Sequence, residues 1–197
     1  MPYAVSISPL QYAAAVAGGL LFGAAVFAKR LSAPRSSGAA SARSRLSIAG
    51  IIIQSTSYFL AAAGPVRVTV PALSQMSLIF AAIVLCLGVA GAWLFDRSAR
   101  ALGANWSLVA RMRVGHALVC DGPFARVRHP IYLAMLLMLA ALGLGFGHIA
   151  GLLVAIPVFL VGTAIRVREE ERLLRQQFGQ AYDDYARITP AFIPRLS

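Results

Sequence analysis

The residues that could do chemistry fall into two short clusters, about forty residues apart. The first reads Arg126-Val127-Arg128-His129-Pro130-Ile131-Tyr132, shortly after Gly122-Pro123-Phe124. The second is Arg166 with Glu169, Glu170 and Glu171. Pro130 disfavours helical geometry at His129 and suits the first turn of a helix itself. Arg128 and His129 are therefore expected at the mouth of a helix, where a polar segment meets an apolar run. Arg166 and Glu170 stand at i and i+4, on one helical face. A surface salt bridge would account for that pair alone, and interfacial anchoring would account for the arginines. Three consecutive glutamates at the end of an apolar run are less well served, because anionic side chains gain nothing from anionic lipid heads. Something positive should sit near them, and the first cluster supplies it. The two clusters are expected to meet as one site carrying both signs of charge.

The elements that must position these clusters are apolar. The chain has 197 residues, 59% of them hydrophobic and 13% charged. Soluble domains are about 45–50% apolar. Long uncharged runs predict a polytopic, all-α integral membrane protein. Five spans are expected, at about 10–28, 46–63, 72–95, 131–146 and 149–165. The last two come from the uninterrupted stretch Ile131 to Ile165, which has no Lys, Arg, Asp or Glu. They are read as a tight helical hairpin turning near Gly147-His148, with His148 solvated at the tip. From Arg166 to Ala186, Leu173, Leu174, Phe178, Tyr182 and Tyr185 recur at helix-like intervals, predicting an amphipathic helix that Gly179 weakens. Pro190 and Pro194 end regular structure. No internal repeat or second domain is visible, so residues 1–197 are read as one domain. The N-terminal run lacks the basic flank of a signal peptide and is read as a retained helix.

The formal net charge of +11 is distributed between the apolar runs rather than on one face. The 29–45 segment holds five Lys and Arg, 96–128 holds six, the tail from Arg166 holds six, and 64–71 holds only Arg67. The positive-inside rule places the three rich segments, and the C-terminus, in the cytoplasm. No basic face interleaved with aromatics is present, so a nucleic-acid role is set aside. Cys86 and Cys120 lack metal-type spacing, and neither a metal site nor a disulfide framework is expected.

These features resemble the isoprenylcysteine carboxyl methyltransferases, integral membrane enzymes that use S-adenosylmethionine. The matching residues run in order: Asn105-Trp106-Ser107, Gly115-His116-Ala117-Leu118-Val119, Gly122-Pro123-Phe124 and Arg128-His129-Pro130-Ile131-Tyr132. They continue with Arg166-Val167, Glu170-Glu171, Leu174, Phe178-Gly179, Tyr182, Tyr185 and Pro194. The resemblance covers about residues 96–197, while the earlier spans agree only in character. It implies that segments 105–132 and 166–186 form the cofactor pocket. His116, Ala117, Leu118 and Val119 would contact the cofactor largely through backbone. Phe124 stands where the family often has tyrosine: its ring can still stack, but the hydroxyl is missing. His129, Pro130, Ile131 and Tyr132 would border the methionine end or the ribose. Glu170 would bind the cofactor, Arg166 would face the acceptor as the catalytic residue, and Glu171 would be structural support.

S-adenosylmethionine carries a sulfonium, an ammonium and a carboxylate, and the two clusters offer groups of both signs for them. No glycine-rich strand-to-helix turn of the Rossmann type is present. The expected reaction is methyl transfer to a lipid-linked acceptor in the bilayer, with an isoprenylcysteine-like carboxylate favoured. A phospholipid amine, a small thiol, and a sterol-type reductase using NADPH stay open as alternatives. A transporter is disfavoured, because the spans are nearly free of ionisable residues.

Overall fold

The computed structural model describes residues 8–32, 45–63, 71, 74–107 and 117–193. His116, the 64–70 connection with Arg67, and Pro194 lie outside the described residues. Among those described there are six α-helices: α1 (Pro9–Ser32), α2 (Arg45–Ala62), α3 (Gln75–Leu102), α4 (Pro130–Gly145), α5 (Ile149–Phe178) and α6 (Gln180–Ile188). Two 3₁₀ turns, Gly103–Asn105 and Gly122–Ala125, join α3 to α4.

A bilayer requires about 20 apolar residues of helix. At 24, 28 and 30 residues, α1, α3 and α5 are long and apolar enough to cross. The apolar helices α2 and α4 are shorter, at 18 and 16 residues. Leu20, Phe27, Phe59, Trp93 and Leu153 point outward from the bundle with most of their surface exposed. Such an exterior suits lipid rather than water. The chain is an integral membrane protein.

Pairwise contacts fix the direction of each helix. Ser8 bonds Ser77, Gly18 meets Gly88, and Phe22 packs on Phe95, so α1 and α3 run parallel. Gly91 lies against Ala134 and Met138 while Val84 reaches Gly145, so α4 runs back along α3. Gly50 meets Gly162 while Leu60 meets Gly151, so α2 and α5 are antiparallel. This alternation gathers Lys29 and Arg30, Arg100, Arg126 and Arg128, and Arg166 at one end of the bundle.

Without a hydrophobic driving force in lipid, helices associate through close packing, which small residues permit. A Cβ on Gly88 would stand 2.9 Å from Gly18 Cα, and one on Gly162 would stand 2.9 Å from the Gly50 carbonyl oxygen. Neither crossing has room for a methyl group. Between them, Leu139, Phe159, Leu152 and Ala61 fill one part of the core and Ala15, Val84 and Met138 another.

Three local features have clear causes. Ser74 caps α3 by accepting from the Ser77 amide at 3.1 Å. Pro130 occupies the first position of α4, as its fixed φ favours. Gly147, at φ +72°, makes the turn between α4 and α5.

Two expectations need correction. His148 is not solvated at the hairpin tip; it is fully buried. Its amide donates to Gly143 O at 2.8 Å, so the turn folds back tightly, and the first turn of α5 lies against Leu60 of α2. The amphipathic segment from Arg166 also does not begin a helix of its own. It continues α5 to Phe178, because no proline or glycine stands between Arg166 and Gly179. Gly179, at φ +51°, ends α5, and the amphipathic remainder is the short α6.

Candidate active site

At the cationic end of the bundle, the entry to α4 is held by main-chain pairing to the end of the described chain. The Arg128 amide donates to Pro190 O at 2.9 Å, and the His129 amide donates to Ala191 O at 3.1 Å. The His129 ring lies 5.6 Å from that of Phe192, centroid to centroid. The residues after α6 therefore strap the outside of the first cluster.

Beneath the strap, Arg128 and Glu171 form a clasp. Arg128 donates to Glu171 Oε1 from Nε at 3.2 Å and from Nη2 at 2.9 Å. Its Nη1 donates to Ala186 O at 2.9 Å and to Thr189 O at 2.5 Å. His129 Nε2 lies 3.1 Å from the same Glu171 oxygen, and Arg175 reaches the other at 3.3 Å. The bond from His129, with the Arg128 guanidinium, holds the Glu171 carboxyl down from 4.5 to about 2 against the opposing effect of burial.

One residue earlier on α5, Glu170 faces the other way. It takes a hydrogen bond from the Tyr132 hydroxyl, and its Oε2 lies 3.8 Å from His129 Nδ1. Arg166 stands one helical turn before it. The Arg166 guanidinium lies 5.0 Å from the Tyr132 ring centroid and donates from Nη1 to Gln54 Oε1 at 2.8 Å. Tyr132 thus stands between the two, with its ring toward Arg166 and its hydroxyl on Glu170.

These side chains border one cavity of about 390 Å³, a size in the range of small-molecule sites. Ala117, Leu118, Val119, Phe124, His129, Pro130, Ile131, Tyr132, Arg166 and Glu170 all line it. Of the residues singled out from the sequence as site residues, only His116 falls outside the described chain. The loop carrying 117–119 is tied by Asn105, whose side-chain amide donates to Ala117 O at 3.0 Å. Phe124 is buried in the 3₁₀ turn, and the Tyr185 hydroxyl donates to its carbonyl at 2.7 Å. Burial pushes the Tyr182 and Tyr185 hydroxyls up, so both stay protonated.

Several wall residues had no role assigned from sequence. Trp106, Tyr182, Tyr185 and Arg128 were visible as matching positions only. Phe22, Tyr58, Phe95 and Met135 belong to the spans and extend the cavity between the helices. Phe95 meets Trp106 edge-on at 6.3 Å, and Tyr58 donates to Met135 O at 2.6 Å. Gln54 was missed; its signal was a lone amide in an apolar span. The cavity therefore has a polar end, at Glu170, Tyr132, His129 and Arg166, and an apolar end inside the bundle.

A family model described as phospholipid methyltransferase matches residues 76–181. The chain belongs to that family. The match begins in α3 and ends in α6, so α1 and α2 precede it. Among curated relatives of this phospholipid methyltransferase family member is a cobalt-zinc-cadmium resistance protein of Cupriavidus metallidurans. It is 34% identical over 116 residues, 58% of this chain and 51% of the relative. A nickel-cobalt-cadmium resistance protein of Alcaligenes xylosoxydans xylosoxydans is 35% identical over 105 residues, 49% of this chain and 48% of the relative. A protein-S-isoprenylcysteine O-methyltransferase of Schizosaccharomyces pombe is 29% identical over 116 residues, 57% of this chain and 47% of the relative. The chain spans about half the length of these curated relatives. The family match and the fission-yeast relative bear out the resemblance read from the sequence.

Proposed function

We propose that the chain is an S-adenosylmethionine-dependent methyltransferase acting on a lipid-linked acceptor, with a carboxylate of the isoprenylcysteine type as its methyl acceptor. The observation that carries this reading is a cavity that joins a polar end of both charges to an apolar end among α1, α2, α3 and α4.

The residues present fit the donor. Glu170 offers an anion for its ammonium or an acceptor for its ribose hydroxyls, and the Tyr132 hydroxyl is fixed beside that carboxylate. The backbone of 117–119 and the ring of Phe124 line the same space. S-adenosylmethionine, when bound, supplies a methyl group on a positively charged sulfur. An ionised carboxylate needs no base to accept a methyl group at neutral pH. The task left to the chain is to align the acceptor and keep water out. Arg166 can grip a carboxylate with two parallel N–H donors. It must not bind too tightly, because a neutralised carboxylate is a poorer nucleophile. The apolar walls at Phe22, Tyr58, Phe95 and Met135 suit a lipid tail entering from the bilayer.

Methyl transfer to a phospholipid amine is the second reading, favoured by the description of the matching family. It would require a proton acceptor, and Glu170 is the carboxylate at the cavity that could serve. In this proposal the site lies on the cytoplasmic side of five spans, a reading that the cationic helix ends support. Reporter fusions after Arg100 and Arg187 should both read cytoplasm, and one near Arg67 the opposite side.

Calorimetry on the full chain in lipid nanodiscs tests the cofactor. Binding of S-adenosylhomocysteine without NADPH binding is expected, and the reverse would replace this reading with a reductase. Methyl transfer from labelled S-adenosylmethionine to an S-prenylated cysteine, compared with phosphatidylethanolamine and a small thiol, tests the acceptor. Label only in the amine or thiol would overturn the carboxylate.

A further inference from the structure

We propose that Gln54, in the middle of α2, is the positioning residue for Arg166, holding the guanidinium toward the acceptor without cancelling its charge. This rests on the reading of Arg166 as the acceptor-binding group.

An amide in an apolar span is costly unless both of its ends are bonded. The Gln54 side chain is 2% exposed, and both ends are used. Oε1 accepts from Arg166 Nη1 at 2.8 Å, and Nε2 donates to Thr163 Oγ1 at 2.7 Å. Thr163 lies three residues before Arg166 on the same face of α5. The guanidinium can only donate, so the amide oxygen must face Arg166, and the amide nitrogen is left to donate to the Thr163 hydroxyl. One turn earlier on α2, Gly50 receives the aliphatic stem of Arg166: a Cβ there would stand 2.5 Å from Arg166 Cγ. The stem is thus seated by Gly50, the head is held by Gln54, and the opposite side of the head meets the Tyr132 ring at 5.0 Å. A long, flexible side chain is given one orientation, beside the cavity.

The identity of the holder matters as much as the geometry. A carboxylate at position 54 would hold Arg166 at least as firmly, but would also neutralise it. A neutral amide positions the guanidinium and adds no negative charge of its own beside it. Gln54 therefore tunes acceptor affinity from a helix that has no residue in the polar cluster.

The test compares Gln54→Leu and Gln54→Glu in the full chain in nanodiscs, with an S-prenylated cysteine bearing a free carboxylate as acceptor probe. Both variants should bind S-adenosylhomocysteine within about twofold of wild type, which also reports folding. Gln54→Leu should raise the acceptor KM by about tenfold. Gln54→Glu, which keeps the shape and the contact to Arg166, should raise it as much or more while retaining thermal stability. Acceptor KM and kcat within about twofold of wild type in both variants would overturn the proposal. So would a parallel loss of cofactor and acceptor binding, which marks general loosening of the bundle. Arg166→Lys separates the two levels. If it alone raises the acceptor KM, the role of Gln54 fails and that of Arg166 stands. If it leaves acceptor kinetics unchanged, the reading of Arg166 fails and the role of Gln54 falls with it.

Discussion

Two arginines, Arg128 and Arg166, stand at the same end of the bundle and meet opposite treatment. Arg128 is saturated: two of its nitrogens reach one Glu171 oxygen, and the third bonds the carbonyls of Ala186 and Thr189. Arg166 is held by a neutral amide and an aromatic face. The adjacent glutamates divide in the same way. Glu171 is bonded by Arg128, His129 and Arg175, whereas Glu170 receives Tyr132 and borders the cavity. Neighbouring positions on a helix point about 100° apart. One face of α5 can therefore be spent on fastening α6 and the strap while the next is spent on the pocket. Identical residue types thus serve stability in one region and ligand chemistry in the other, and the partner decides which.

The sharpest way to break this division is to cut the clasp. Glu171→Ala leaves the Arg128 guanidinium with its charge uncompensated in a largely buried position. A loss of about 3 kcal/mol in stability is expected, by the cost of breaking a buried pair. Thermal unfolding in detergent should show a large drop in Tm, reduced little by saturating S-adenosylhomocysteine. Glu170→Gln should do the reverse. Removing one charge-assisted contact to a ligand costs about 1.5–3 kcal/mol, so S-adenosylhomocysteine affinity should fall roughly ten- to a hundredfold with Tm nearly unchanged. If the two substitutions had the same signature, the division between adjacent glutamates would be false.

Arg166→Lys keeps the charge and loses the planar fork. Its effect should fall on turnover or acceptor KM, by about tenfold, with cofactor affinity close to wild type. An equal, small effect of Arg166→Lys and Glu170→Gln on cofactor affinity would mean that this end of α5 is a membrane anchor.

How much of this was legible in the sequence follows from the range of each interaction. Pro130 before an apolar run announces a helix mouth, and the glycines near 147 announce a turn, because both signals are local. Meeting of the two clusters was also legible, since each lies at a charged boundary of the same hairpin. The extension of α5 to Phe178 was not, because a change from apolar to charged residues resembles a boundary while leaving the helical backbone unaffected. His148 lies beside the first turn of α5 where that turn meets α2, and the contact there, Leu60 with Gly151, joins residues about ninety apart in sequence. Gln54 bonds Arg166 across 112 positions, and no spacing rule reaches that far. The carbonyls of Ala186 and Thr189 that hold Arg128 have no side-chain signature at all.

A dependence on pH sharpens the same comparison. Glu171 titrates at about 2 in the fold against an ordinary 4.5. A carboxyl lowered by folding stabilises the native state fully above its unfolded value, and that contribution disappears as pH falls through the folded value. The stability owed to Glu171 should therefore be present above pH 4.5 and should decline between about 4.5 and 2. The cause is specific: His129 and Arg128 donate to the ionised carboxylate, and protonation removes their acceptor. Glu171→Gln should flatten the slope of stability against pH in that window, since the amide does not titrate. The measurement is Tm from pH 6 down to about 2.5, wild type against variant, in a detergent whose micelle carries no charge. An unaltered slope in Glu171→Gln would show that acid loosens the fold elsewhere and that the clasp is not what fastens the strap. A flattened slope, with cofactor affinity at neutral pH little changed, would assign the acid sensitivity to Glu171 and leave the pocket to its neighbour.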